Sequence, residues 1–368
     1  MKFSQISQAL CGATLVAALP GLDKNALPAR GLTVRANNGT PSPLMALEGM
    51  ENMVVPFEVA VQKFANAPKA ESDPATYNDK ASPLPPVVGS CKNPSVRVEW
   101  SNYSPTDRNA LMGAFKCLLN RPSAKVFPQA TNRYEDFVAL HQAYRYIAHD
   151  NQIFFPWHRY LIWAFEQALR NECQFTGPLF WFDEVKHAGA YEKSDLFTSE
   201  YLGILRNNVN YNVPDGVFAN LTLYVGRGND NYPHLLNRMG SPEYSSMTGA
   251  HYVNMCLRLN DYKNFEKCFE PGPHGAGHVA VGGVMNDIFA SPGDPFFWFH
   301  HIFVDRAWEI WQQADPVHRY TSIDGTDFYG NPVTLKTVLS LAGIQPNVTI
   351  GQVINPRSGS PLCYRYDY

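Results

Sequence analysis

Two groups of histidines constrain what this chain can fold into more than any other feature. His141, His149 and His158 lie in one segment, and His274, His278, His300 and His301 in another. The remaining four, His187, His234, His251 and His318, are scattered and read as surface or local hydrogen-bonding residues. The grouped histidines sit in apolar, helix-patterned stretches: "RYEDFVALHQAYRYIAHD", "HRYLIWAFEQALRN" and "DPFFWFHHIFVDRAWEIWQQAD". A polar ring in such surroundings must find a partner. A backbone carbonyl can satisfy one imidazole. Two groups, each able to offer three, point to metal ions.

The spacing says how each group could close. In "PHGAGH", His274 and His278 are separated as i and i+4, so on a helix both rings project from one face. Pro273 suits the start of that helix, and a third imidazole would come from His300 or His301. In the first group, a ring from a helix (His141) and a ring from the loop after it (His149) can converge, with His158 opening the next helix. Gly275 stands where a zinc protease of the H-E-x-x-H type carries its catalytic glutamate, which argues against that chemistry. No cysteine or carboxylate sits at matching positions, and all-imidazole sites suit copper, zinc, iron or nickel. Zinc cannot change oxidation state. Two such sites together favour copper and oxygen.

The N-terminus reads as a signal peptide over residues 1–18. Lys2 supplies the positive start, and the apolar run Ala9–Leu19 is too short to span a bilayer and ends in small residues. Residues 19–89 read as a pro-segment or N-terminal extension, closed by the Pro-rich linker "ASPLPPVVGS" and holding one or two helices in "LMALEGMENMVVPFEVAVQKFA". Arg30 or Arg35 could mark the removal of a short pro-segment. Beyond Cys11 six cysteines remain, and an even number in a secreted chain suggests three disulfides with the pairing left open. Asn38, Asn220 and Asn347 lie in glycosylation sequons, and Asn102 in a weaker one followed by Pro. No later stretch is apolar enough to anchor in a membrane. The net charge of −3 offers no basic field for nucleic acid.

Residues 104–118 are expected to form a helix capped by Ser104, with Pro105 in its first position. Residues 205–255, rich in Asn, Gly and Tyr, read as long loops. The last fifty residues carry short strand-like runs.

Taken together, the stretch around His141, His149 and "FPWHR", followed by "PHGAGH" and "DPFFWFHHIFVDRAW", resembles the tyrosinase/catechol oxidase family of type-3 copper proteins, in its short secreted fungal form. The resemblance covers roughly residues 90–368, the expected catalytic domain. It implies a mainly α fold: a central four-helix bundle holding a binuclear copper site, with long loops and a few short strands. By the same resemblance His141, His149 and His158 bind one copper, and His274, His278 and His301 the other. His300 then borders the substrate cavity, Val279 and Ile288 line the entrance, and Phe297, packed near the coppers, is counted with them as substrate-binding. Glu270 matches a glutamate that holds an active-site water. Asp305 and Arg306 are expected to act as a charged pair holding helices, and "YRY" (364–366) resembles the tyrosine motif that ends the catalytic core.

Two departures matter. Many members carry a cysteine just before the second ligand of the first copper. "QAYRYIA" has none, so no thioether crosslink is expected. Many true tyrosinases carry Asn after the first ligand of the second copper, where this chain has Gly275. The implied activity is oxidation of o-diphenols to o-quinones by O2, with weak hydroxylation of small monophenols. Full tyrosinase or o-aminophenol oxidase activity is the alternative. A haemocyanin-like oxygen carrier is disfavoured, because the chain ends soon after His301 and leaves no room for a shielding domain.

Overall fold

The computed structural model describes residues 91–205 and 211–368. The expected signal peptide, the 19–89 extension with its helices, and Asn38 lie outside the described residues. The fold is mainly helical, as expected. The longer helices are α1 (Pro105–Asn120), α2 (Arg133–Ala148), α3 (Phe154–Cys173), α4 (Ala250–Leu257), α5 (Tyr262–Phe269), α6 (Gly275–Val281) and α7 (Phe296–Gln313). Strands are short: β1 (Ser95–Glu99), β2 (Leu179–Trp181), β3 (Thr222–Leu223), β4 (His234–Leu235), β5 (Val338–Leu339), β6 (Val348–Thr349) and β7 (Tyr364–Tyr366).

Local chemistry starts the helices. The Ser104 hydroxyl accepts a hydrogen bond from the Asp107 N–H at 3.1 Å, capping α1 with Pro105 in the first turn. The Asn132 side chain does the same for α2 through the Glu135 N–H at 3.0 Å. Helix α3 begins one turn earlier than its periodicity suggests. Asn151 accepts from the Ile153 N–H at 3.0 Å, and "FFPW" is helical, so His158 lies in the second turn rather than at the helix start. The region read as loops between residues 205 and 255 also contains the β3–β4 ladder and α4.

Helix α3 packs against α1, α2 and α7 and forms the centre of the bundle. Its core is aromatic. Phe165 stacks on Trp298 at 3.6 Å between centroids, and Phe115, Phe180 and Phe299 fill the space beside them. A parallel sheet in the order β2-β1-β7 closes the back of α7. It is welded on through Asp305, which accepts from Arg97 Nη1 (2.9 Å), Arg159 Nε (2.5 Å), Tyr364 Oη (2.5 Å) and Tyr366 Oη (2.6 Å). The "YRY" tyrosines thus anchor the chain end to α7.

Asp305 and Arg306 do not pair with each other. Neighbours on a helix point about 100° apart. Arg306 instead donates to the Tyr368 carbonyl at 2.7 Å and lies over Trp181. The six cysteines of the described residues form three disulfides: Cys91–Cys363, Cys117–Cys173 and Cys256–Cys268. None is left to crosslink to His149.

Candidate metal centre

Each imidazole of the first group is placed by a different device. His141 projects from the buried stripe of α2, His149 is the residue at which α2 ends in extended backbone, and His158 comes from α3. Their ring centroids lie 4.9 Å (141–149), 4.8 Å (149–158) and 5.7 Å (141–158) apart. Each Nδ1 bonds a backbone carbonyl at 2.9 Å: Phe289 for His141, Arg145 for His149 and Phe154 for His158.

The second group forms where the chain bends. A single π-type turn, Glu270–His274, kinks at Gly272 and runs into α6. His274 and His278 straddle that junction and keep one face, as their spacing suggests. His301 reaches in from α7. Nε2 of His278 lies 3.0 Å from Nε2 of His274 and 3.2 Å from Nε2 of His301. Nδ1 of His274 donates to the Glu270 carbonyl and Nδ1 of His278 to the Met285 carbonyl, both at 2.7 Å. His158 and His301 stack at 4.5 Å, which brings the two groups together.

These contacts test whether the rings suit a metal. A carbonyl only accepts, so five Nδ1 atoms carry the proton and the matching Nε2 atoms are bare lone pairs. Two such lone pairs at 3.0 Å, His274 against His278, repel each other unless a cation lies between. Nε2 of His141 and of His158 is buried with no protein partner. Burial, reinforced by the neighbouring imidazoles, holds all six rings neutral, with His141 pushed down to about 3. Neutral imidazole with its outer nitrogen bound to a carbonyl is the metal-ligating form. The donor atoms within each group lie within 4.8 Å of one another.

His300 is occupied elsewhere. Its Nδ1 lies 2.5 Å from Glu184 Oε1, and Glu184 Oε2 accepts from the Tyr191 hydroxyl at 2.7 Å. Burial pushes the carboxyl up and the imidazole down to about 3, so the pair shares one proton and stays neutral. Nε2 of His300 is buried without a partner and the donor atoms of all four rings lie within 4.8 Å of one another, but His301 comes closer, with Nε2 3.2 Å from Nε2 of His278, and His300 does not line the cavity beside them.

A cavity of about 60 Å³ opens over the rings. Glu270, Gly275 and Ile288 line it together with His149, His274 and His278, as do Met285 and Asn286. Glu270 is buried, with Oε1 accepting from the Asp150 N–H at 2.9 Å. Burial first, then Glu266 and Asp150, push its carboxyl well up. Val279 is half-buried on α6 and does not contribute to this cavity's wall. Phe297 is fully buried, stacked on His301 at 4.0 Å, so it backs the rings rather than lining the cavity.

Residues 131–314 match the common central domain of tyrosinase. The chain belongs to the tyrosinase family. Tyrosinase P of Aspergillus terreus is 30% identical over 333 residues, covering 75% of this chain and 93% of that protein. The tyrosinase-like protein orsC of Emericella nidulans is 32% identical over 322 residues, covering 72% and 87%. Among solved structures, a polyphenol oxidase variant from Thermothelomyces thermophila superposes with a TM-score of 0.69 at 29% identity, covering 74% of this chain and 88% of that one. Tyrosinase-family proteins bind a binuclear copper centre and act on phenols with O2.

Sequence reading misses the parts of this tyrosinase-type centre that arrive from far along the chain. The Phe289 and Met285 carbonyls fix two imidazoles, and no side-chain pattern marks them. Glu184 lies 116 positions from the ring it holds. Gly277 is the one residue nearby that carries a signal: a Cβ there would lie 2.4 Å from His300 Cε1, so only glycine admits the ring.

Proposed function

We propose that residues 90–368 form a binuclear copper oxidase that converts o-diphenols to o-quinones with O2, with weak hydroxylation of small monophenols. The observation that carries the reading is the pair of three-imidazole groups, with bare nitrogens converging beneath a cavity whose wall holds Glu270 and Gly275. His141, His149 and His158 would hold one copper, and His274, His278 and His301 the other. A copper pair supplies reversible electron exchange with O2: two electrons and two protons leave each diphenol, and O2 ends as water.

The protein's own part is to shape, orient and hold protons. Ile288 and Met285 give a flat ring apolar walls. His300, held by Glu184, packs behind His274 and does not itself line the cavity. Glu270 is the polar group placed to hold a water against an incoming hydroxyl. Gly275 offers nothing beside it: a Cβ at this position would meet only the Glu270 carbonyl, at 3.6 Å, and there is no amide. A monophenol must be deprotonated on arrival, and general-base help is weaker without that amide. This supports diphenols as the better substrates.

Secretion belongs to the same proposal. Three disulfides fit an oxidising compartment, and Asn220 and Asn347 are exposed for glycosylation. Among the described residues no helix is long and apolar enough to cross a membrane. The test is metal analysis with oxygen uptake on catechol, tyrosine and o-aminophenol side by side. Two coppers per chain with catechol fastest is the expected result. Zinc in the site, or copper with reversible O2 binding and no turnover, would overturn it.

A further inference from the structure

A second and larger cavity, of about 300 Å³, adjoins the one over the histidines, and Asn286 lines both. One wall is the connection between β3 and β4, with Arg227 and Gly228, together with His234 at the start of β4. The other is the segment leaving α6, with Gly283 and Asp287. The two walls are tied together and to the metal centre. The Gly228 N–H donates to Asp287 Oδ2 at 2.7 Å. Gln142, the residue after His141, donates through Nε2 to the Gly228 carbonyl (2.6 Å) and to Asn231 Oδ1 (2.8 Å). The Phe289 carbonyl, two residues past Asp287, holds His141 itself. This cavity therefore keeps a set position relative to the imidazoles.

The wall holds one carboxylate and one guanidinium, and they are not paired with each other. The Asp287 carboxylate is satisfied by three backbone N–H groups, from Gly228 (2.7 Å), Phe289 (3.0 Å) and Ala290 (3.3 Å). His234 is buried, with Nδ1 on the Tyr232 carbonyl at 2.8 Å. The Arg227 side chain is exposed and makes no hydrogen bond or ion pair among the described residues. Asp230, three positions on, is exposed and is not part of the wall. A guanidinium presents a fork of donors that matches a carboxylate.

We propose that this cavity is a subsite for an anionic arm of the phenolic substrate, a carboxylate carried on a short aliphatic chain. The ring lies over the histidines, the arm passes Asn286, and the carboxylate pairs with Arg227. The inference rests on the phenol-oxidase reading above and adds a substrate class to it: catechols with an acidic side chain.

The experiment compares kcat/KM for 3-(3,4-dihydroxyphenyl)propionate, 4-methylcatechol and dopamine in wild type, Arg227→Gln and Arg227→Glu. Wild type prefers the propionate to dopamine. Arg227→Gln lowers the propionate-to-methylcatechol ratio roughly tenfold, the scale of one charge-assisted hydrogen-bonded pair at a partly open site, mainly through KM. Arg227→Glu reverses the preference toward dopamine. Calorimetric titration of 3-phenylpropionate into the protein gives a readout without turnover, and its binding weakens in both variants. An unchanged propionate-to-methylcatechol ratio together with unchanged 3-phenylpropionate binding would overturn the subsite. Failure of wild type to oxidise 4-methylcatechol would overturn the oxidase reading instead, while the titration still judges Arg227.

Discussion

Gly277→Ala is the substitution whose cost can be worked out most directly. A Cβ at residue 277 would sit 2.4 Å from His300 Cε1, 2.6 Å from its Nδ1 and 2.9 Å from Glu184 Oε2. Carbon contacts are comfortable near 3.5–4.0 Å, so the ring would have to retreat by about 1 Å. It has nowhere to go. His300 is fully buried, bonded to Glu184 at 2.5 Å and stacked against His274 at 5.3 Å, while Tyr191 pins Glu184. Overpacking of this kind costs about 1–3 kcal/mol, and a lost buried hydrogen bond adds a further ~1–3 kcal/mol. Together these come to about 2–6 kcal/mol, and at about 2–4 °C per kcal/mol the melting temperature of a domain this size should fall by roughly 4–24 °C. Gly275→Ala, half a turn away on the same helix, is the control. Its new Cβ would meet only the Glu270 carbonyl at 3.6 Å, and alanine favours the helix by up to ~1 kcal/mol. Thermal unfolding followed by circular dichroism, with metal content measured on each sample, separates the two. If Gly277→Ala melts with wild type, or if both variants fall equally, then close packing of His300 on α6 does not hold that ring in place.

Gly275→Asn should raise the ratio of monophenol to diphenol turnover, by ~10²-fold at most, because an amide beside Glu270 would help orient and deprotonate the incoming phenol; initial rates on phenol and 4-methylcatechol at equal copper loading check it. His301→Ala should lose copper from the second group, whereas His300→Ala should keep both ions and change substrate handling, as copper analysis with KM measurement would show. Asp305→Asn should destabilise by about 3–5 kcal/mol, since it leaves buried Arg97 and Arg159 without their counter-charge. Burial alone would raise the Asp305 pKa, but Arg159 and Arg97 outweigh it and hold the value below the ordinary range. Its contribution is therefore complete above the unfolded value of roughly 4 and fades as pH falls through the lower folded value. Urea midpoints between about pH 3 and 6 should show an acid-limb slope in wild type that is reduced in the variant.

Much of this protein follows from local pattern. The i, i+4 pair His274–His278, the caps at Ser104 and the apolar stripes around His141 and His301 are short-range features, and they place the imidazoles on helices whatever surrounds them. The absence of any cysteine before His149 is equally plain from the chain alone. Other decisions need the third dimension. Which ring of the pair meets His278 is one of them: His301 does, with Nε2 at 3.2 Å, while Glu184, from a distant loop, holds Nδ1 of His300. Asp305 pairs with Arg97 and Arg159 rather than with its neighbour Arg306 because helix geometry sends adjacent side chains in different directions and the sheet brings Arg97 underneath. Val279 and Phe297 leave the cavity wall, while Met285 and Asn286 join it, because a cavity belongs to surfaces from several segments and no single stretch encodes it. Local periodicity sets which face a residue occupies. Packing between segments far apart in the chain sets what that face meets, and the ring that meets His278, the limits of the cavity and the exposed guanidinium of Arg227 beside it are all outcomes of that packing.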